Sequence, residues 1–306
     1  MNLCEYLNTD QKHLVQKVLP FKNKFDIQYP CIVQEKYDGV FCIAICIDGE
    51  VRIFSRTGKE YYSLNHLKQP LSNVLNFSNS VNKHEHQKQI VLFEAWIPKS
   101  SQEIISGFCR DKQNQHPEIV AVVHDYLTLP EYQGIKLTSY SIRYKLLQSA
   151  TRYANDFLAN PRVILPKTIW ACDFNEIDRF AHQVWQEDGE GIVIKNPESY
   201  YQKGKRNTSM IKMKRGVSFD LEVIDVIEGT GKYENHVGKL VCRFKNGTAI
   251  LVGTGLLDLE RKKYWEDKSL IIGKIVQVNA MQESKNGVLR EPSYKGIRYD
   301  KECADY

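Results

Sequence analysis

The chain has 306 residues, 42% hydrophobic and 26% charged, with a formal net charge of +5. That length exceeds what one compact core usually serves, so two domains are expected. The composition is that of a globular protein and excludes an integral helical membrane protein, because no segment approaches the ~20 apolar residues that a spanning helix needs.

The opening MNLCEYLNTDQKHL lacks the basic start and apolar run of a secretory signal, which predicts a cytoplasmic protein. Eight cysteines are scattered as Cys4, Cys31, Cys42, Cys46, Cys109, Cys172, Cys242 and Cys303. None forms a CxxC pair, which argues against a zinc ribbon and reads as reduced, buried thiols. Lys203, Lys205, Arg206, Lys212, Lys214 and Arg215 crowd into thirteen residues. Such a cluster suits polyphosphate or a nucleic-acid backbone, although a charge run alone is usually just a solvated face.

In chain order, the first thirty residues read as a short helix and a Pro-containing loop. From Cys31 the pattern becomes strand-like. Residues 41–47 and 51–55 form strands joined by an Asp48-Gly49 hairpin turn, with Cys42 and Cys46 on one face. Residues 61–90 read as a helix and a polar loop around His84-Glu85-His86, whose HxH spacing is more readily a surface stretch than a metal pair. Short strands follow at 90–93 and 119–126. The segment 139–158 predicts a helix with Ile142, Leu146 and Leu147 on its apolar face, and 174–186 predicts a second helix. Residues 191–195 (GIVIK) and 210–213 read as buried strands. Beyond Lys214, segments 219–227, 239–244, 249–252 and 274–280 are strand-like and broken by Gly, Asn or Asp. That texture predicts a small Greek-key barrel, an OB-fold. The boundary falls at a hinge over 215–218, giving domains 1–216 and 217–306.

The residues that carry chemistry lie in a fixed order. Lys36 ends a strand and is followed by Tyr37-Asp38-Gly39, which turns the chain and presents the amine. Ser55-Arg56-Thr57-Gly58 ends the next strand. Glu94 ends the strand VLFEAW. Asp188-Gly189-Glu190-Gly191 leads into GIVIK, which ends at Lys195. Lys212 and Lys214 share one face of a strand, and Arg290-Glu291-Pro292, Arg298, Asp300 and Lys301 close the chain. Each has a bland reading: a surface hairpin for KYDG, an exposed carboxylate for Glu94, an ordinary surface arginine for Arg56, a solubilising charge for Lys195. Their order makes coincidence the weaker explanation.

This order resembles the covalent nucleotidyltransferase superfamily of ATP-dependent DNA ligases, with RNA ligases and capping enzymes as relatives. The likeness spans Lys36 to Lys301. It implies an α+β fold: a nucleotidyltransferase (adenylation) domain of antiparallel sheets with flanking helices, then an all-β OB-fold barrel. Gly229-Thr230-Gly231-Lys232 and Gly253-Thr254-Gly255-Leu256 resemble segments of such barrels. The implied catalytic residue is Lys36, which takes AMP from ATP as a phosphoramidate. The implied ATP-binding residues are Glu35, Arg56, Glu94, His124, Lys195, Lys212, Lys214, Arg290, Arg298 and Lys301. Glu94 and Glu190 are the expected ligands of Mg²⁺, for which Mn²⁺ can substitute. Lys195, Lys212, Lys214 and the metal are expected to disfavour the protonated form of Lys36, which must be neutral to attack.

Further expectations rest on the same resemblance. Arg56 contacts the ribose or the nick phosphate. Either His124 or Tyr126 stacks on adenine, since residues two apart on a strand share a face, with a satisfied core histidine as the alternative. Arg143 lies on a helix and reads as a salt-bridge former. Arg290, Arg298 and Lys301 orient the pyrophosphate when the barrel closes, and the hinge lets it swing back over nicked double-stranded DNA. One departure stands out: Phe41 occupies the position five after the nucleophile, where such ligases carry an arginine for the 5′-phosphate. Lys59 or a basic residue from 203–206 could compensate. The expected partner is nicked duplex DNA and the expected state a monomer. The expected setting is a bacterium or a virus- or phage-infected cell, as for similarly compact ligases. An RNA ligase and a non-catalytic nucleic-acid-binding module are the competing readings. An NAD⁺-dependent ligase fits less well, because no Cys₄ zinc module is present.

Overall fold

The structure is a computed structural model and describes residues 2–81, 88–156, 161–280, 282–283 and 289–306; of Arg290 it describes the backbone only. The His84-Glu85-His86 segment lies outside the described residues. The chain divides into two compact units, Met1–Met213 and Lys214–Tyr306.

The elements up to the first boundary are α1 (Leu3–Tyr6), β1 (Lys17–Pro20), β2 (Cys31–Lys36), β3 (Val40–Ile47), β4 (Glu50–Ser55), α2 (Lys68–Val81), β5 (Gln89–Trp96), α3 (Gln102–Arg110), β6 (Val120–Thr128), α4 (Leu129–Gln133), α5 (Tyr140–Asn155), β7 (Val163–Ile164), β8 (Thr168–Ala171), α6 (Phe174–Gln186), β9 (Gly191–Lys195) and β10 (Arg206–Lys214). They build two five-stranded sheets, ordered β4-β3-β5-β6-β7 and β1-β10-β9-β2-β8. Both sheets are mixed and not purely antiparallel as expected: β1 runs parallel to β10, and β6 parallel to β7. Short edge strands joined through long connections permit that, and periodicity along one strand carries no information about its neighbour's direction.

Local chemistry explains the elements. Asp48 (φ 52) and Gly49 (φ 83) both take the left-handed conformation that a two-residue hairpin requires, and β3 pairs with β4 from Ile47 opposite Glu50 to Cys42 opposite Ser55. Asp173 caps α6 by accepting from the Glu176 N–H at 2.9 Å. Its inward stripe is Ile177, Phe180, Ala181 and Val184, at helical spacing, packed on Val33, Ile192 and Ile194. The first sheet buries one face against α2, α3 and α5, and the other against Leu3, Cys4 and Leu14 near the chain start.

Helix α5 forms inside the predicted span, but of the expected apolar face only Leu147 is buried. Ile142 and Leu146 are exposed, while Tyr140, Arg143, Tyr144, Leu147, Ala150, Thr151 and Ala154 are buried. The aliphatic count misled because the inward face uses two tyrosines, small residues and an ion-paired arginine. The cysteine expectation also needs correcting at three positions, since Cys172 and Cys303 are exposed and Cys46 is only half-buried; all eight thiols are free.

The second unit contains β11 (Val217–Glu228), β12 (Val237–Arg243), β13 (Ala249–Val252), α7 (Asp258–Glu266), β14 (Ile275–Ala280), β15 (Gln282–Glu283), β16 (Leu289–Arg290) and β17 (Ser293–Ile297). A five-stranded antiparallel sheet runs β13-β12-β11-β14-β17, and a bridge from Thr254 to Ser293 links the chain after β13 to β17. This is an OB-like sheet, but the unit is not all-β. Helix α7 buries only Arg261 and Tyr264, so its sequence shows no apolar stripe to predict it. Arg261 holds it in place by donating to the carbonyls of Val237 and Gly238, at 2.7 and 2.9 Å. Among the described residues no helix is long and apolar enough to cross a membrane.

Candidate active site

Strand pairing assembles a cluster around Lys36. Antiparallel β2 and β9 set Lys36 opposite Gly191, which brings the neighbouring Glu190 to the amine: Nζ donates to Oε2 at 2.5 Å. Glu94 enters from the first sheet, where β3 and β5 pair Phe41 with Glu94 and Val40 with Ala95. Gly39 makes this approach possible, because a Cβ there would stand 2.3 Å from the Ala95 carbonyl oxygen and 2.8 Å from Glu94 Cγ.

The electrostatics are those of two carboxylates around one ammonium. Burial disfavours the charged form of Lys36, but Glu190, Glu94 and Asp38 outweigh it and raise its pKa. Burial pushes Glu94 up to about 8, against the pull of Lys36 and with the push of Glu190. Without a metal ion, the bare carboxylates of Glu94 and Glu190 favour the protonated form of Lys36. The nearest charges are carboxylates, and at short range they dominate.

His124 joins the cluster through a β-bulge. Strand β6 pairs Val123 with Phe93 and Asp125 with Leu92, so His124 is the extra residue. A bulge inverts the alternation of side chains beyond it. Tyr126, 1% exposed, therefore belongs to the helix-covered core with Val123 and Phe93. The His124 ring instead lies 5.5 Å from Phe41. The two aromatic residues do not share a face, and the alternation argument failed at the bulge. Burial, with Lys195 and Lys36 nearby, holds His124 neutral, its pKa down at about 3.

The remaining expected residues distribute as follows. Arg56 is exposed, at the turn after β4, where it helps offset the Glu94 charge. Gly58 (φ 82) shapes that turn, and its carbonyl accepts from the Leu3 N–H at 2.9 Å. Glu35, next to Lys36 on β2, points the other way: burial raises its pKa, and its partners are Tyr37 and Lys167. The structure does not bring its carboxylate to the Lys36 amine. Lys212 and Lys214 alternate along β10 with Ile211 and the buried Met213. Lys195 is 5% exposed, so it is no solubilising charge; its amine donates to the His124 carbonyl at 3.0 Å and to the Tyr140 hydroxyl at 2.9 Å. Arg143 forms a two-point ion pair with Asp125, at 2.9 and 3.1 Å, as the salt-bridge reading expects.

In the second unit, Arg298 and Lys301 meet on one carboxylate that the sequence reading missed. Arg298 Nη1 donates to Asp220 Oδ2 at 2.9 Å, and Lys301 Nζ lies 2.5 Å from the same oxygen. Arg298 also pairs with Asp300, at 2.9 and 2.7 Å. Asp220 had one available signal, an acid between Phe219 and Leu221 in an apolar strand. Tyr140 and Gln34 were likewise missed; the Tyr140 hydroxyl lies 3.1 Å from Gln34 Oε1. Nothing in their local sequence marks either one.

A lysine amine flanked by two carboxylates in an adenylation domain, with an OB-like domain following, defines the class of protein to which this fold and site belong. The family described as ATP dependent DNA ligase domain matches residues 12–214, and the DNA ligase OB-like domain matches residues 228–298. The chain belongs to the ATP-dependent DNA ligase domain family. It is 23% identical over 303 residues to the DNA ligase of Enterobacteria phage T6, an alignment covering 82% of this chain and 60% of that protein. The chain spans less than two thirds of the length of the curated relatives it matches. Among solved structures, Pmar-Lig_PreS3 has a TM-score of 0.79 at 22% identity, covering 94% of this chain and 68% of its own. A structure from a study of Lig E DNA ligases has a TM-score of 0.68 at 18% identity, covering 93% and 98%. These likenesses establish the fold.

Proposed function

We propose that the protein is an ATP-dependent DNA ligase that seals 5′-phosphate/3′-OH nicks in duplex DNA. The observation that carries this reading is the Lys36 amine at the end of β2, 2.5 Å from Glu190, in a chain of the ATP-dependent DNA ligase domain family. Lys36 attacks the α-phosphorus of ATP, forming the N–P bond as the bond to pyrophosphate breaks. The adenylyl group then passes to the 5′-phosphate, and the 3′-OH displaces AMP.

The residues fit a divalent cation. Glu94 and Glu190 both act on the Lys36 amine and on each other, and among the described residues no group of three metal-ligating side chains occurs. Two carboxylates completed by substrate phosphates are a usual Mg²⁺ set. Held there, Mg²⁺ or Mn²⁺ would neutralise the carboxylates and stabilise charge on the phosphoryl oxygens. The protein's own groups do the rest. Lys36 must release its proton before attack, which the paired carboxylates oppose. His124, kept neutral, offers an aromatic face for adenine. Arg56, Lys212 and Lys214 supply positive charge for ribose or phosphate, and Arg298 and Lys301 for pyrophosphate.

Incubation with α-labelled ATP tests the first step. The protein should take covalent label at Lys36, and Lys36→Ala should take none. Chasing the labelled protein with nicked DNA, and separately with nicked RNA, should transfer AMP to DNA far faster. Full labelling of Lys36→Ala would refute the mechanism, and preference for RNA would make the protein an RNA ligase. Binding to nicked DNA should weaken steeply with salt, because the grip is on phosphates.

A further inference from the structure

We propose that Lys195 is a positioning residue: it acts on ATP through His124, by holding the backbone bulge that turns the imidazole toward Lys36. This rests on the reading that ATP binds beside Lys36.

The inference starts from the bulge. Its extra residue has no ladder partner, so its backbone groups need other ones. The His124 carbonyl oxygen finds two donors: Lys195 Nζ at 3.0 Å and the Tyr140 hydroxyl at 3.0 Å. Those two groups also touch each other, at 2.9 Å. All of this is interior: Lys195 is 5%, Tyr140 2% and Gln34 2% exposed. A lysine buried among strands costs stability that a methionine in its place would not. Its geometry accounts for its presence, because the amine donates to the carbonyl of the bulged residue and to the Tyr140 hydroxyl.

That carbonyl decides which aromatic ring meets the nucleotide. Without the bulge, regular alternation along β6 would continue past Val123. With it, Tyr126 enters the core, its hydroxyl on the Leu75 carbonyl at 3.4 Å, and His124 packs by Phe41. Lys195 and Tyr140 therefore secure the His124 ring from behind its own backbone, while Phe41 supports it from the side. Phe41, 5.5 Å from the ring, thus forms part of the histidine wall.

A double-mutant cycle on the full chain tests this. Lys195→Met should raise the KM for ATP in self-adenylylation roughly 10-fold, the scale of a lost base–aromatic stack, with kcat much less affected. His124→Ala should do the same. The double variant should be no worse than His124→Ala, since Lys195 acts through the ring. If Lys195→Met raises KM by an equal factor in the His124→Ala background, the amine contacts ATP directly and the proposal is wrong; an unchanged KM in the single variant also overturns it. Tyr140→Phe removes the second donor and provides the same cycle should Lys195→Met fold poorly. A reading independent of ATP is the NMR signal of the His124 ring in the ligand-free protein. It should move in both Lys195→Met and Tyr140→Phe, and an unmoved ring sinks the proposal. Should the parental protein take no label from ATP, the ligase reading fails on its own, and the ring signal still decides whether Lys195 holds His124.

Discussion

Lys36 Nζ and Glu190 Oε2 stand 2.5 Å apart although 154 residues separate them, because β2 and β9 pair with Lys36 opposite Gly191. The carboxylates raise the Lys36 pKa, so the ion pair is complete below the ordinary lysine range and is lost as pH rises through the raised value. In metal-free protein, modification of Lys36 by an amine reagent should therefore require a higher pH than modification of exposed lysines. Glu190→Gln should move the half-reaction pH down. Mass spectrometry at Lys36 reads this directly, and coincident profiles would show that Glu190 does not hold the proton. The same variant should lose adenylylation by roughly 100-fold, if Glu190 also helps hold the metal.

Glu94 should make stability depend on pH. Its folded-state pKa is about 8 against an ordinary 4.5, so it contributes fully below about 4.5 and costs stability progressively as pH rises to 8. Glu94→Gln removes that cost. Urea unfolding of the metal-free proteins should show the variant more stable than the parent by roughly 1–3 kcal/mol at pH 8, and nearly equal at pH 4.5. A difference that is constant with pH would contradict the assignment. Adenylylation should fall in the same variant, a separation of stability from activity typical of a strained site.

The buried face of α5 gives a packing test. Leu147 is 0% exposed and packs with Leu71, Val74 and Ala150, whereas Ile142 is 53% exposed. Leu147→Ala should cost about 2–5 kcal/mol in denaturant unfolding, and Ile142→Ala less than about 0.5. Equal losses would mean that the aliphatic face predicted from periodicity is the buried one after all.

Gly39→Ala should separate the two carboxylates. The new Cβ would meet the Ala95 carbonyl oxygen and Glu94 Cγ, neither of which can yield without opening the start of the β3–β5 pairing. A destabilisation of about 1–3 kcal/mol is expected. Adenylylation should fall more than stability explains, since Glu94 is displaced from Lys36. Parental activity in a folded Gly39→Ala protein would show that this close approach is dispensable.

Much of the site was legible in the sequence where its signals were local. Lys36 ends a strand just before Asp38-Gly39, the Asp48-Gly49 hairpin is visible in two residues, and α6 declares itself by apolar spacing over 174–186. Signals were lost where the deciding partner is distant or unusual. The inward face of α5 reads as polar until Asp125 is seen to neutralise Arg143. Helix α7 has no apolar stripe, because a buried arginine on backbone carbonyls anchors it. Asp220 looks like one more acid until Arg298 and Lys301 converge on it.

By itself the sequence determined the strands and turns that carry Lys36, Glu94 and Glu190, the OB-like pattern after Lys214, and family membership, because these depend on residues close along the chain or on their order. Tertiary structure alone decided which carboxylate touches the amine, the sign of the Lys36 pKa shift, and which aromatic ring faces it. Each of these turns on register between distant strands. A single inserted residue at His124 reverses every side chain beyond it, and no periodicity along β6 announces that insertion.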